Sequence, residues 1–253
     1  MADDSNSEWW QTFFSGLWLE VQRQIWSPEQ SRADTDFVER LLRLSPGASV
    51  LDVPCGEGRI AVRLASRGYQ VTGVDITPEN LAEARGKAAE RGVEIRLEQR
   101  DMRDLPWEDE FEGVVCFWGS FGYFDEQGDK DFLTAASRVL KPGTRFLVQT
   151  HVVETLLPRF QERGWNRVGH AGEIIVLEER RYEHEQSRIL ANWTFMKQGQ
   201  MEQKTSSIRL YTYRELCRLL EDAGFGECEG YDSVSQEPFK LGAPRLTMVA
   251  TKM

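Results

Sequence analysis

The stretch VLDVPCGEGR, residues 50–59, runs an apolar strand into a glycine-containing turn, and a helical stripe (Ile60, Ala61, Leu64, Ala65) follows directly and stops at Gly68. Gly56 and Gly58 carry no Cβ, so a ligand can approach the backbone closely at the C-terminal end of this first strand, where parallel α/β sheets bind ligands.

Outward from this turn, strands and helices alternate. Gln70–Val74 reads as a second strand, and the following GVDIT puts Asp75 at its C-terminus, where a carboxylate can accept hydrogen bonds from two ribose hydroxyls. Leu81, Ala84 and Ala88 form a helical stripe that ends at Gly92, and Val93, Ile95 and Leu97 alternate as a third strand. Asp101, in QRDMRDL, follows it. Phe111–Phe117 is a fourth strand, residues 132–140 a helix closed by Lys141-Pro142-Gly143, and Arg145–Gln149 a fifth strand. This alternation predicts a mostly parallel α/β sheet, with three successive strand ends converging on one nucleoside-like ligand.

The flanks read differently. Residues 8–26 carry aromatics at helical spacing and predict one amphipathic helix that breaks at Ser27-Pro28, and residues 36–44 predict another. Residues 173–211 alternate polar and apolar, with turns expected at His184–Ser187 and Lys197–Gly199, which predicts an antiparallel meander. Thr212 and Glu215 form a capping box for a helix ended by Gly224, and Arg245–Ala250 is the last strand.

Composition excludes several function classes. The chain has 253 residues, 40% of them hydrophobic, enough for one full core. With 41 acidic against 31 basic residues its net charge is −10, which disfavours nucleic-acid binding and anionic membrane surfaces, both of which need clustered Lys and Arg. No apolar run is long enough for a membrane helix, and MADDSNSEWW lacks the pattern of a signal peptide, so a cytoplasmic location is expected. The four cysteines are scattered without a C-x-x-C pair, so reduced thiols are expected and no metal site. Tryptophan is over-represented: four of the eight (Trp9, Trp10, Trp18, Trp26) lie in the first 26 residues.

A glycine turn followed by an acidic residue also occurs in nicotinamide dehydrogenases, whose fingerprint is G-x-G-x-x-G. Here the third glycine is replaced by Ala61, and Glu57 sits inside the turn, where it would repel a pyrophosphate and favour a sulfonium or ammonium. A nicotinamide-dependent oxidoreductase and a non-catalytic cofactor-binding protein stay open as alternatives.

LDVPCGEGR, GVDIT, RDMRDLPW, FEGVVCFWGSFGYF, LKPG and the closing YTYRELCRLLEDAGF…RLTMVATK resemble, in order, the motifs of class I S-adenosylmethionine-dependent methyltransferases, over about residues 30–253. The resemblance implies a Rossmann-like seven-stranded, mostly parallel sheet with the last strand antiparallel, and S-adenosyl-L-methionine as cofactor. It implies that Gly56 and Gly58 line the methionine moiety, Asp75 holds the ribose, Ile76 packs on adenine, Asp101 accepts from the adenine amino group beside Met102, and Phe117 contacts the cofactor. SRADTDFVERLL, SFGYF and the β insert resemble the glycine and amino-sugar N-methyltransferase branch, which implies Arg32 as clamp for the cofactor carboxylate and a small-molecule acceptor. That branch's glycine enzyme has an Arg for the substrate carboxylate just after the fifth strand; Val152 stands near that place here, which argues against glycine as acceptor.

Two further residues are candidates on the acceptor side. His151 follows the fifth strand and can serve as general base towards an acceptor N–H or O–H, and Tyr123 in SFGYF extends from a strand-end loop. His170 and His184, in the insert, read as solvent or packing residues. The division expected is an N-terminal helical lid over 1–30, a cofactor-binding Rossmann-like domain over 31–151 and 209–253, and an antiparallel β insert over 152–208 that shapes the acceptor pocket and offers a surface for homodimer pairing. The reaction expected is in-line methyl transfer to a nitrogen or oxygen.

Overall fold

The computed structural model describes residues 8–169 and 172–253; residues 1–7 of the expected lid, and His170, lie outside them. The N-terminal part forms three helices, α1 (Trp10–Phe13), α2 (Leu17–Ile25) and α3 (Pro28–Leu42). The single helix expected over 8–26 is therefore split. Gly16, at φ 59, is the N-cap of α2 and turns the chain between the two helices, and the first N–H of α2, from Leu17, is capped by Glu202 Oε2 at 2.9 Å. Ser27 caps α3 through the Gln30 N–H at 3.1 Å, with Pro28 at the first helical position.

The alternating part follows as β1 (Ser49–Asp52), α4 (Ala61–Ala65), β2 (Gln70–Asp75), α5 (Pro78–Glu90), β3 (Arg96–Gln99), β4 (Phe111–Cys116), α6 (Glu126–Val139) and β5 (Leu140–Thr150). The third strand starts later than the alternation of Val93, Ile95 and Leu97 predicts. The Val93 N–H is consumed by the end of α5, donating to the Ala88 carbonyl at 3.0 Å, so it cannot open a ladder.

Beyond β5 come α7 (Val153–Leu156), β6 (Arg163–Val168), β7 (Ile174–Glu183), β8 (Arg188–Lys197), β9 (Gln200–Arg209), α8 (Tyr213–Asp222), β10 (Phe225–Asp232) and β11 (Leu246–Lys252). The capping box is formed as the sequence predicts: Thr212 Oγ1 accepts from the Glu215 N–H at 3.2 Å and Glu215 Oε2 from the Thr212 N–H at 2.7 Å. The β8–β9 hairpin turns on Gln198 (φ 48) and Gly199 (φ 85), the paired positive φ values that a two-residue hairpin requires. Strands β6 and β10 were not legible in the sequence: both are mostly half-exposed or exposed, so neither carries a clean apolar period.

The strands assemble into two sheets. One has seven strands in the order β10-β11-β5-β4-β1-β2-β3, parallel throughout except for β11, which runs antiparallel to both β10 and β5. The other is the antiparallel four-stranded sheet β6-β7-β8-β9. This is the Rossmann-like architecture expected, with a separate antiparallel sheet. Among the described residues no helix is long and apolar enough to cross a membrane.

Helices α1 and α2 rest on the four-stranded sheet rather than on solvent. Trp9 Nε1 donates to the Ser207 carbonyl at 2.9 Å, Lys204 Nζ donates to Ser15 Oγ at 2.7 Å, and Lys197 pairs with Glu20. Trp9, Trp10, Phe13, Leu17, Trp18 and Val21 are all buried in the same core as the sheet residues. The N-terminal helices and the four-stranded sheet thus form one continuous roof over the strand ends.

Candidate active site

Between that roof and the C-terminal ends of the central strands lies a cavity of about 500 Å³, within the range of small-ligand sites. Its floor is built from the turn after β1. Asp75, at the end of β2, is buried and turned back onto that turn: Oδ2 accepts from the Gly56 N–H and Oδ1 from the Thr77 N–H, both at 2.8 Å. Burial raises its pKa, opposed by these two backbone donors. The Asn80 and Thr77 side chains bond to the same carboxylate, so a ligand hydroxyl would share or replace one of these donors.

Asp52, also lining the cavity, accepts from the Ala61 N–H at 3.1 Å and so caps the start of α4; burial pushes its pKa up to about 7. The turn glycines differ in role. Gly56 (φ 52) lines the cavity. Gly58 (φ 78) does not: a Cβ there would lie 2.9 Å from Val62 Cγ2 and 3.0 Å from Ala84 Cβ. Its glycine is needed for the approach of α4 to α5, not for a ligand. Nor is Glu57 an unpaired charge waiting for a cation, because Lys87 of α5 holds its Oε2 at 3.0 Å.

On the β3 side, Asp101 lines the cavity but is gripped in a fork by Arg103, with Nη2 at 2.6 Å from Oδ2 and Nε at 3.0 Å from Oδ1. Arg103 is itself laid over the Phe124 ring at 4.1 Å. Met102 and Phe117 are buried in the cavity wall and Ile76 is half-buried beside them.

The structure does not place Arg32 in the cavity lining. Ser31, Asp34, Thr35 and Val38 form the buried face of α3, and Arg32 falls about a quarter-turn round the helix, exposed and outside the cavity lining. The guanidinium that lines the cavity at this corner is Arg59, from the GEGR motif itself. It pairs with Asp34 Oδ2 at 2.6 Å and lies over the rings of Trp26 (4.6 Å) and Phe117 (5.6 Å). Its place in the quoted motif was the signal that could have found it.

The roof is aromatic. Trp18 stacks on Trp118 with centroids 6.1 Å apart at 19°, and Trp26 meets Trp118 edge-on at 5.6 Å. Trp118 holds φ 74 at the end of β4, a left-handed conformation costing a bulky residue about 1–2 kcal/mol. Its N–H donates to Gln149 Oε1 at 3.2 Å and Gly119 N–H to the Gln149 carbonyl at 2.9 Å, which holds the turn in place. Tyr123 lines the same chamber against Trp9 (4.8 Å) and Phe14 (5.9 Å); burial raises its hydroxyl pKa well above the tyrosine range, so at neutral pH it is a donor. The indole N–H of Trp18 reaches Gln22 Oε1 at 3.1 Å, and Gln22 reaches Asn80 at 3.4 Å, tying the roof to α5.

His151 lies at the opposite end of the cavity from Asp75. Burial first, then the charges of Arg245 and Arg180, lower its pKa to about 4, so the imidazole is neutral, and its buried Nδ1 has no partner among the described residues. Arg245, immediately before β11, lines the cavity beside it. Neither Arg245 nor Arg59 is a site candidate from the sequence alone.

The geometry suits S-adenosylmethionine better than a dinucleotide. The turn offers a buried carboxylate and flat aromatic walls for a nucleoside and a sulfonium, and the Gly56 N–H that a pyrophosphate would need is already donated to Asp75. Residues 50–143 match the methyltransferase domain family. A putative methyltransferase of Geobacillus sp. (strain WCH70) is 34% identical over 114 residues, 45% of this chain and 46% of that protein. The match therefore spans under half of that relative's length. An S-adenosylmethionine-dependent methyltransferase from Clostridium acetobutylicum ATCC 824 superposes with a TM-score of 0.78 at 19% identity, covering 93% of this chain and 96% of that one. The sugar N-methyltransferase KedS8 from Streptoalloteichus sp. ATCC 53650 superposes at 0.67 with 23% identity, covering 88% and 87%. The chain thus has the class I S-adenosylmethionine-dependent methyltransferase fold, with a methyltransferase domain over residues 50–143.

Proposed function

We propose that the protein transfers a methyl group from S-adenosylmethionine to a nitrogen or oxygen of a small-molecule acceptor. The observation that carries this reading is the pairing of Asp75 with the Gly56 N–H at the mouth of one aromatic-roofed cavity, which presents a nucleoside-holding carboxylate and an acceptor chamber in a single space.

S-adenosylmethionine supplies an electrophilic methyl group when bound; the chain's residues do the rest. Asp75 holds the ribose hydroxyls. Gly56 leaves the backbone open to the methionine portion. Ile76, Met102 and Phe117 form the apolar walls, Asp101, already forked by Arg103, offers an acceptor at the adenine edge, and Arg59 replaces Arg32 as the cation at the methionine end. Trp18, Trp26 and Trp118 exclude water and would offer π density to a bound sulfonium. Much of the rate comes from alignment, because bringing nucleophile and methyl carbon into line is the main demand of such a displacement. An amine acceptor needs only to arrive deprotonated. A hydroxyl acceptor needs a base; His151 is neutral and free to take the proton, but with its pKa lowered to about 4 it is a weaker base than an ordinary imidazole, and Tyr123 donates a hydrogen bond that orients the acceptor.

The test is calorimetric titration of S-adenosylhomocysteine into the wild type and Asp75→Ala. Micromolar-range binding is expected, and loss of a charged hydrogen-bond acceptor costs about 1.5–3 kcal/mol. Equal affinity in both proteins sinks this reading, as does binding of NAD(P) in place of the homocysteine nucleoside. We also propose the four-stranded sheet as a homodimer surface, because its two edge strands, β6 and β9, expose Trp165 and Met201; light scattering at micromolar concentration tests it, and a monomer removes it.

A further inference from the structure

The two ends of the cavity differ in charge. Over β1 and β2 it is acidic, with Asp52 and Asp75 buried in its wall. Over β5 and β11 it is basic. Because Leu246 of β11 pairs with Thr150 of β5, Arg245 and His151 stand one step beyond that pair, side by side on adjacent strands. Arg180 of β7 faces them from the roof, and its charge, like that of Arg245, is felt at the His151 ring.

Charge accounting singles out Arg245. Of the other arginines lining the cavity, Arg180 is paired with buried Glu178, Arg59 with Asp34 and Arg100 with Glu98, while Arg159 is exposed and donates to the Gly242 carbonyl. The guanidinium of Arg245 has no hydrogen bond or ion pair among the described residues; it lies 6.0 Å from the Trp26 ring, and the charges that act on it are Asp34, already paired with Arg59, and Arg59 itself. Burial pulls its pKa down, as for a charge held away from water. Next to it, His151 Nδ1 is buried and also unpartnered. A guanidinium held away from water is costly unless a ligand supplies the counter-charge. A half-buried guanidinium with no counter-ion in contact matches one negative charge, and its fork matches the two oxygens of a carboxylate.

We propose that the methyl acceptor carries a carboxylate, which Arg245 binds at the β5–β11 end of the cavity beside His151, with the rest of the acceptor lying under the tryptophan roof. This rests on the methyl-transfer reading above and adds the substrate class. It is also independent of the position after β5 near which Val152 stands, since Val152 is fully buried and apolar.

The test uses the protein saturated with S-adenosylhomocysteine, so that failure of cofactor binding is read separately and first. Matched pairs of flat aromatic probes are then titrated, each carboxylate against its amide: benzoate and benzamide, indole-3-acetate and indole-3-acetamide, anthranilate and anthranilamide. Tryptophan fluorescence and calorimetry give the readout. At least one carboxylate is expected to bind tenfold or more tightly than its amide. Arg245→Gln should bring that carboxylate to the amide's affinity while S-adenosylhomocysteine changes less than threefold, and Arg245→Lys should retain part of the preference. A series in which no carboxylate exceeds its amide overturns the proposal. So does an Arg245→Gln protein that loses S-adenosylhomocysteine tenfold with the probes untouched, since Arg245 would then hold the cofactor's own carboxylate. Arg245→Lys, which keeps the charge, guards against reading a folding defect as loss of the site.

Discussion

The indoles of Trp18, in the N-terminal helix pair, and Trp118, at the end of the fourth parallel strand, stack at 6.1 Å and 19° and so join the lid directly to the cleft it covers. The lid is therefore both core and cavity wall. Truncating Trp18 to Ala is expected to cost about 3–5 kcal/mol of stability, as for other large buried aromatics. The same change should weaken S-adenosylhomocysteine binding. Urea unfolding alongside calorimetry checks both, and a stability loss under about 1 kcal/mol would mean that the lid only rests on the fold.

At the methionine corner the arginines separate cleanly. Arg32→Ala, on an exposed helix face, is expected to leave cofactor affinity and stability within about 0.5 kcal/mol. Asp34→Ala strands the Arg59 guanidinium in a poorly hydrated pocket, and breaking one side of a buried pair costs about 3–5 kcal/mol. The double change Asp34→Ala with Arg59→Met should recover most of that stability but not the cofactor affinity. Thermal melts with and without S-adenosylhomocysteine give both quantities; an Arg32→Ala protein with weakened binding would contradict the assignment.

Asp129, buried under the roof and accepting from the Tyr211 hydroxyl at 2.9 Å, has its pKa pushed up to about 7 by burial, from an ordinary 3.8. Below about pH 4 folded and unfolded chains both keep this proton, so it contributes no pH dependence. Between about pH 4 and 7 the unfolded chain releases the proton and the folded chain does not, so stability falls as pH rises, by up to about 1.4 kcal/mol per unit from this group. Asp129→Asn keeps an oxygen for Tyr211 and removes the titration. Its stability at pH 8 should match or exceed that of the wild type, and the decline between pH 4 and 7 should be shallower; unfolding curves across this range decide it.

His151 offers a way to tell oxygen from nitrogen acceptors. With its pKa lowered to about 4, it stays neutral at every pH where the protein is expected to work, so no activity limb near pH 6.5 should appear. For a hydroxyl acceptor, His151→Gln should lower kcat by about 10²–10⁴, the usual contribution of a positioned base. For an amine acceptor the loss should be within a few-fold. Separately, Arg245→Gln removes a like charge beside the ring, so the His151 pKa measured by NMR should rise while staying below the ordinary histidine value, because burial remains.

How much of this was readable in the sequence follows from range. The turn at residues 50–59, Asp75 at the end of β2, the capping box at Thr212 and the hairpin turn ending at Gly199 are local chemistry, in which a few neighbouring residues dictate the backbone, and each stands where the sequence put it. The alternation of apolar strands and helical stripes likewise specified the parallel sheet, since period and turn residues suffice for that. Gly58, Arg32 and Glu57 went differently because their roles depend on what packs across from them: Val62 and Ala84, solvent, and Lys87 respectively. The adjacency of His151 and Arg245 exists only because β11 inserts antiparallel between β10 and β5. The joint roof of N-terminal helices and four-stranded sheet exists only because Glu202, Lys204 and Ser207 of β9 receive the first helices. Those contacts are set by pairings between distant segments, which no local period encodes, and they decide which charges in the cavity are already satisfied and which still await a ligand.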